Sequence, residues 1–199
     1  MKVLTLLGTR PEIIRLSRII PLLQQHCDHV LVHTGQSYSH ELSGVFLAEL
    51  QYDPGPKYDL GAQGSFGQQM AKIFEGLEEV LLKEKPDRFL VLGDTNSSLG
   101  SIVAKRMGIP VYHLEAGNRC HSDVSPEEVN RKVIDHCATV HMPYTERSRQ
   151  NLLLEGIPIH KTFVTGNPIG EVMTHYGQED RFEEVASRLG IDGAYFLST

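Results

Sequence analysis

Two carboxylates and an arginine follow closely after short apolar runs of strand length, and a third carboxylate stands at the start of a predicted helix. Arg10, Asp94 and Glu115 lie within three residues of the ends of such runs, and Glu127 follows at the start of a predicted helix. Ligands of open α/β sheets bind outside the carboxyl ends of the strands, so these side chains are expected to converge on one rim, with Arg15 as a second cation. Like charges in a cleft raise the pKa of at least one carboxyl group, and a guanidinium suits a phosphate. The pattern predicts proton transfer on a substrate with a phosphate leaving group.

Each of these residues also has a structural interpretation. Asp94 stands at a helix start and could cap that helix, while an acid in a first helical turn, such as Glu127, complements the helix dipole. Arg10 could form a surface ion pair. Glu115 differs, because a glutamate is rarely buried without a partner or a ligand. The spacing alone leaves both interpretations open.

The candidate cofactor motifs are equally informative. The turn Gly8-Thr-Arg-Pro-Glu12 is neither a Gly-x-Gly-x-x-Gly fingerprint nor a P-loop, which disfavours NAD and ATP hydrolysis, although the N–H groups of the helix that follows are expected to face an anion. The ten histidines show no metal-binding spacing, so we predict no metal.

The three cysteines are widely spaced with no Cys-x-x-Cys pair, which indicates a reducing, cytoplasmic location.

A common rim requires a parallel sheet, and the apolar pattern predicts one. The apolar runs lack in–out alternation, as expected for strands that are buried on both faces. They alternate with segments of helical periodicity, so the predicted fold class is α/β, with a doubly wound, mainly parallel Rossmann-like sheet. The predicted strands are residues 3–7, 29–33, 88–92, 110–114, 140–142, 162–165 and 194–199. The predicted helices are residues 11–25, 38–50, 66–85, 97–107, 126–137, 146–155, 169–175 and 178–189.

Composition excludes several classes of partner. The 199 residues carry 19 basic and 25 acidic side chains, a net charge of −6, which argues against nucleic acid and anionic membranes as partners. The longest apolar runs have strand length and fall far short of a membrane span.

The regular alternation of apolar strands and helical segments changes after residue 156. We therefore predict an N-terminal domain over residues 1–166, followed by a linker and the first elements of a second domain over residues 167–199.

Five motifs together resemble the non-hydrolysing UDP-N-acetylglucosamine 2-epimerases. They occur in the order and approximate spacing of that family, and the resemblance extends through essentially the whole chain. The motifs are Gly8-Thr-Arg-Pro-Glu12, Gly93-Asp-Thr95, Glu115-Ala-Gly117, Pro126-Glu-Glu-x-Asn-Arg131 and Thr165-Gly-Asn167. The resemblance implies the N-terminal half of a GT-B fold, in which two Rossmann-like domains face across a cleft, and it implies a homodimer.

The resemblance also implies a reaction and a set of residues. The reaction inverts C2 of a UDP-2-acetamido sugar by elimination and re-addition of UDP, without NAD, metal or other cofactor. Asp94, Glu115 and Glu127 are the implied catalytic carboxylates. The implied substrate-binding residues are Arg10, Arg15, Gln36, Arg119 and Asn167.

Three alternatives stay open. The stretch Glu115–Cys120 is similar to the branch that acts on UDP-2-acetamido-2,6-dideoxy-hexoses for surface polysaccharides. A GT-B glycosyltransferase would use the same cleft, and a non-catalytic dimerising fragment is a third possibility. The chain stops before the His-Arg-Glu-Glu-Asn-type segment of the family, so we expect an isolated N-terminal part with little or no turnover by itself.

Overall fold

The computed structural model describes residues 1–35, 55, 57–122, 124–177 and 182–191. Three predictions lie outside these residues: the substrate contact Gln36, the helix at 38–50 and the strand at 194–199. The described strands are β1 (Lys2–Leu7), β2 (Asp28–His33), β3 (Tyr58–Asp59), β4 (Arg88–Leu92), β5 (Val111–Leu114) and β6 (Val140–Met142). The described α-helices are α1 (Arg10–Leu16), α2 (Ile20–His26), α3 (Phe66–Glu84), α4 (Ser101–Arg106), α5 (Pro126–Cys137), α6 (Glu146–Leu154), α7 (Ile169–Tyr176) and α8 (Phe182–Leu189).

The sheet confirms the doubly wound, Rossmann-like prediction. The described strands are ordered β3-β2-β1-β4-β5-β6, and every neighbouring pair is parallel. The strand order reverses between β1 and β4, so the turns that follow these two strands flank the crevice where such sheets bind ligands. The predicted rim therefore lies at this switch point.

Helices cover both faces of the sheet, which explains the continuous apolar strands. On one face, Leu4 and Phe89 pack with Leu77 of α3 and Ile134 of α5. On the other face, β1 and β4 pack against α1 and α2, and an apolar groove of about 400 Å³ lies beside this second cluster. Burial of both strand faces is characteristic of parallel sheets.

Three predicted elements differ from those in the structure, in each case for a local reason. The predicted helix 11–25 breaks between α1 and α2, because Pro21 lacks an N–H and its ring crowds the carbonyl group of Ser17. The predicted helix 97–107 begins as the 3-10 turn Asn96–Gly100 before α4. The predicted strand 162–165 is reduced to one parallel bridge between Thr162 and His141, next to a proline that ends β6.

The boundary predicted after residue 166 stays a prediction. Helix α7, beyond that boundary, contacts the segment between α1 and α2, where Arg18 Nη1 lies 3.2 Å from His175 Nε2. No helix in the described part of the chain is both long and apolar enough to cross a bilayer.

Glu84 joins the end of α3 to two strands and gives a testable pH dependence. Its carboxylate accepts hydrogen bonds from Lys57 Nζ at 2.8 Å, Tyr58 Oη at 2.5 Å and Lys2 Nζ at 3.1 Å. Lys57, Tyr58 and Lys2 lower the pKa of Glu84 from 4.5 to about 2. Because the pKa is lower in the folded chain, this stabilisation is complete above pH 4.5 and is lost as the pH falls towards 2.

We therefore expect Glu84→Gln to reduce the free energy of unfolding at pH 7 by about 2 kcal/mol, and the difference from the parent chain to shrink below pH 4.5. Urea unfolding at a series of pH values measures it. Glu79→Gln changes an exposed residue of the same helix and serves as the control. A deficit for Glu84→Gln that is the same at pH 3 and pH 7 would contradict the expectation.

Candidate active site

The turn after β1 is held by the side chain of Glu12. Glu12 Oε2 accepts hydrogen bonds from the N–H groups of Gly8 at 2.8 Å and Thr9 at 2.6 Å. Glu12 Oε1 accepts a hydrogen bond from the Thr95 hydroxyl group at 2.9 Å, which links this turn to the turn after β4. Burial raises the pKa of Glu12, while the hydrogen bonds oppose the rise. The N–H groups of Gly8 and Thr9, which precede α1, are thus both satisfied by Glu12.

Asp94 follows β4 and faces a cation from α5. Asp94 Oδ2 lies 2.5 Å from Arg131 Nη2, and both side chains are about a quarter exposed, at 25% and 21%. Asn130, one residue earlier on α5, donates from Nδ2 to the backbone carbonyl of Asp94 at 2.9 Å. Helix α5 therefore fixes both the backbone and the carboxylate of Asp94 at the rim.

Glu115 follows β5 in an unusual backbone conformation. Its φ of 71° lies in the left-handed region that disfavours residues other than glycine. Glu115 Oε2 pairs with Arg15 Nη1 of α1, and Oε1 accepts a hydrogen bond from Asn118 Nδ2 at 3.1 Å. Burial raises the pKa of Glu115, the positive charge of Arg15 opposes this, and the negative charge of Asp94 adds to it. A carboxyl group with a raised pKa is suited to gain and lose a proton.

The two acids that open α5 have different environments. Glu127 is exposed, and its own backbone N–H and the Ser125 hydroxyl group, which donates at 2.8 Å, lower its pKa. Burial opposes ionisation of Glu128, but hydrogen bonds from Cys120, His121 and Arg131 lower its pKa to about 2. Glu128 therefore holds the loop before α5, while Glu127 stays accessible to a ligand.

The predicted cationic and polar contacts do not all reach the rim. Arg10 lies exposed at the first residue of α1, beside the rim, and Arg15 reaches Glu115. Arg119 points away: its side chain is 1% exposed, and it pairs with Asp135 and Glu155. Asn167 is exposed and accepts a hydrogen bond from the N–H of Ile169 at 3.0 Å, at the start of α7.

The expectation for Arg119 needs correction. Arg119 Nε and Nη2 donate to Glu155 at 2.7 and 2.6 Å, and Nη1 donates to the carbonyl group of Asn118 at 2.7 Å. The same Nη1 lies 2.8 Å from Asp135 Oδ2. A guanidinium that is buried and bonded in this way is not free to bind a substrate phosphate. Arg119 instead holds the turn that contains Glu115.

Sequence reasoning missed Arg131 and Tyr144. Arg131 lies four residues after Glu127 on α5, and this i,i+4 spacing places the two on one side of a helix. That spacing could have identified Arg131 as the cation of the motif. Burial and the negative charge of the nearby Glu115 raise the pKa of Tyr144. No local pattern around Tyr144 indicates this proximity.

The rim thus brings carboxylates and guanidinium groups together. Asp94 and Glu115 interact electrostatically, and each has an arginine partner, Arg131 and Arg15. Glu127 lies within the electrostatic reach of Arg131. Within the described residues, no group of three or more His, Cys, Asp or Glu side chains is arranged to hold a metal ion. The arrangement can move a proton beside a negatively charged leaving group.

Comparisons with known proteins identify the family of this chain. A family model described as UDP-N-acetylglucosamine 2-epimerase matches residues 22–199. A UDP-N-acetylglucosamine 2-epimerase of Methanocaldococcus jannaschii is 42% identical over 206 residues, which cover 100% of this chain and 56% of the relative. A UDP-2,3-diacetamido-2,3-dideoxy-D-glucuronate 2-epimerase of Pseudomonas aeruginosa is 36% identical and is matched over 87% of this chain and 49% of its own length.

A solved structure extends the similarity to the fold. The M. jannaschii UDP-GlcNAc 2-epimerase in complex with UDP-GlcNAc and UDP superposes with a TM-score of 0.87 at 40% identity. The superposition covers 94% of this chain and 54% of that one. The chain spans about half the length of the curated relatives it matches.

Proposed function

The chain belongs to the UDP-N-acetylglucosamine 2-epimerase family, and on that premise we propose that it supplies the carboxylate half of an active site that inverts C2 of a UDP-2-acetamido sugar. Members of this family are isomerases. The observation that carries the proposal is the meeting of Asp94 and Glu115 at the switch point of the sheet, each beside an arginine. The similarity to a structure that holds UDP-GlcNAc and UDP supports the class of substrate.

The proposed reaction needs both kinds of group. A carboxylate of the rim removes the proton from C2, the C1–O bond breaks with its electron pair on oxygen, and UDP leaves to give a 2-acetamidoglycal. UDP then returns to C1, and a proton is delivered to the opposite face of C2. The C2–H bond is not next to a carbonyl group, so loss of UDP must take up the charge, and cations that stabilise the diphosphate lower the barrier.

In this proposal, the carboxylates transfer the proton and the arginines stabilise the diphosphate or orient a carboxylate. The raised pKa of Glu115 fits a group that exchanges a proton, and Asp94 and the exposed Glu127 complete the set of carboxylates in the proposal. Arg10 and Arg15, at the two ends of α1, supply positive charge for the diphosphate. Arg131 orients Asp94. Asn167 and Gln36 remain proposed substrate contacts on the strength of the family resemblance.

The test is incorporation of solvent deuterium at C2. We would incubate UDP-N-acetylglucosamine in deuterium oxide with the chain, and with a chimera in which this chain replaces the aligned segment of the M. jannaschii relative. We expect the chimera to place deuterium at C2 of both epimers and the chain by itself to show little turnover. The readout is mass spectrometry with proton NMR at C2.

The same experiment separates the alternatives. A folded chimera that binds UDP-N-acetylglucosamine without C2 exchange would reject the epimerase proposal. Transfer of the sugar to an added acceptor, with no exchange at C2, would indicate a glycosyltransferase. A chain that associates with the intact relative and changes its rate, but forms no active chimera, would indicate a non-catalytic module.

The sugar itself is a finer proposal. We propose UDP-N-acetylglucosamine as the main substrate, because three relatives that are 40–42% identical are named UDP-N-acetylglucosamine 2-epimerases. The P. aeruginosa relative is named for a diacetamido sugar, and the stretch after Glu115 is similar to the 6-deoxy branch. Comparing kcat/KM of the chimera for UDP-N-acetylglucosamine and UDP-2-acetamido-2,6-dideoxy-hexoses distinguishes these substrates.

We also propose a cytoplasmic homodimer that supplies sugars for surface polysaccharides. The wide spacing of the three cysteines, with no Cys-x-x-Cys pair, supports a reducing compartment. The dimer and the pathway rest on the family resemblance. Sedimentation velocity of the chain and of the chimera tests the dimer, and a single monomeric species for both at micromolar concentration would reject it.

A further inference from the structure

Three ionisable side chains that take no part in the proposed chemistry are buried behind the rim. His113 and Arg119 are each 1% exposed, and Asp135 is 0% exposed. Burying charged groups is unfavourable unless each finds good partners. The hydrogen bonds that these side chains make therefore indicate their role.

His113, on β5, holds the turn that contains Asp94. Its Nε2 lies 2.9 Å from the carbonyl oxygen of Gly93. A carbonyl oxygen only accepts hydrogen bonds, so Nε2 carries the hydrogen and donates it. Gly93 has a φ of 73°, and its N–H donates to the carbonyl group of Leu114 at 3.0 Å. The residue that directly precedes Asp94 is thus fixed on both sides by β5.

Asp135, on α5, holds the turn that contains Glu115. One of its oxygens, Oδ1, lies 2.8 Å from His113 Nδ1. The other, Oδ2, accepts a hydrogen bond from the N–H of Gly117 at 3.1 Å and lies 2.8 Å from Arg119 Nη1. Burial favours the neutral acid, but His113 and Arg119 hold the pKa of Asp135 below its ordinary value. The ionised carboxylate accepts hydrogen bonds on both of its oxygens, so the ring of His113 carries a hydrogen on Nδ1 as well as on Nε2.

A single imidazolium–carboxylate pair therefore contacts both turns of the rim. We propose that His113 and Asp135 form a positioning pair that sets the separation of the Asp94 and Glu115 carboxylates. The pair does not touch the reacting atoms. It acts through the carbonyl group of Gly93 and the N–H of Gly117, and the catalytic part of the inference rests on the proposed function.

The variants separate the two hydrogen bonds of the imidazole. The side-chain nitrogen of Gln occupies the place of Nε2, so His113→Gln retains a donor for the Gly93 carbonyl. The shorter Asn reaches only the place of Nδ1, so His113→Asn loses that donor. Asp135→Asn leaves one acceptor oxygen in place of two, so its amide N–H group faces either His113 Nδ1 or the donors of Gly117 and Arg119. His136→Gln is the matched control, because His136 lies at the edge of the same cluster, 3.6 Å from Glu155, but is 55% exposed.

The first measurement uses the chain itself and does not depend on activity. We expect His113→Asn to move the ¹H–¹⁵N amide shift of Asp94, and Asp135→Asn to move that of Gly117. His113→Gln and His136→Gln are expected to leave the Asp94 shift close to its parent value. Unchanged shifts in both His113→Asn and Asp135→Asn would overturn the proposal. So would shifts that move equally along β1 and β2, because they would indicate a general loss of packing.

The second measurement uses the chimera. We expect His113→Asn to lower kcat by roughly tenfold to a hundredfold while KM stays within about twofold, and His113→Gln to recover most of the loss. A kcat for His113→Asn equal to that of the parent would overturn the positioning role. If the parent chimera shows no C2 exchange, the proposed function fails, whereas the amide shifts still decide whether the pair fixes the two turns.

Discussion

Glu115→Gln is expected to lower the rate of C2 deuterium incorporation by the chimera by about a hundredfold to ten-thousandfold, the range for loss of a general acid or base. The amide keeps the size of the side chain and can still accept a hydrogen bond from Asn118, but it cannot exchange a proton with C2. KM is expected to change much less than kcat, because the proton moves only in the transition state. Initial rates in deuterium oxide, with UDP-N-acetylglucosamine varied, measure both quantities.

The control for this substitution is Glu146→Gln. Glu146 is an exposed carboxylate at the start of α6 whose partner is Arg149, at 2.5 Å, so its loss tests removal of one negative charge away from the rim. We expect its rate to equal that of the parent. A Glu115→Gln chimera that retains more than about a tenth of the parent rate would remove Glu115 from the catalytic set.

Gly117→Ala is expected to destabilise the chain by at least about 3 kcal/mol, a large part of the stability of an ordinary domain. A Cβ atom at this position would lie 2.1 Å from the carbonyl oxygen of Ser148 and 2.8 Å from Cγ of Leu152. The backbone φ of 78° adds about 1 kcal/mol for any residue with a side chain. Relief of the overlap requires α6 to move away from the turn that follows Glu115.

Gly108→Ala separates these two contributions. Gly108 has the same φ of 78°, but a Cβ atom there meets nothing within 4 Å. We expect this control to lose only about 1 kcal/mol, so the difference between the two variants measures the steric overlap. Urea unfolding monitored by circular dichroism gives both values. Equal losses for the two variants would show that α6 moves aside at little cost.

The sheet was predictable because its determinants are local. Strands β4, β5 and β6 and helix α5 lie within one residue of their predicted positions, since each is a short apolar or periodic run with a clear breaker at its end. A doubly wound sheet then places the residues after β1, β4 and β5 on one side, which is enough to predict the meeting of Asp94 and Glu115. Strand β3 was missed, because two residues carry no periodic signal.

The ion-pair partners of the arginines were not predictable, because the paired residues are far apart in the chain. Arg15 and Glu115 are separated by 100 positions, and Arg119 and Glu155 by 36. A sequence motif shows that an arginine is present, but it does not show whether that arginine faces the crevice or a buried carboxylate. Arg15 pairs with Glu115 at the crevice, whereas Arg119 pairs with the buried Asp135, and only the three-dimensional structure distinguishes the two cases.

The left-handed backbone conformation of Glu115 lowers the stability of the chain, whereas the proposed reaction needs the Glu115 carboxylate. Selection for heat resistance and selection for turnover therefore favour different residues at this position. A residue with a side chain loses about 1 kcal/mol or more in this conformation relative to glycine, and burial of the carboxylate adds to the penalty. A library randomised at codon 115 and screened only for survival of heating should therefore enrich glycine and asparagine, and these substitutions should give the lowest rates of C2 exchange when they are placed in the chimera.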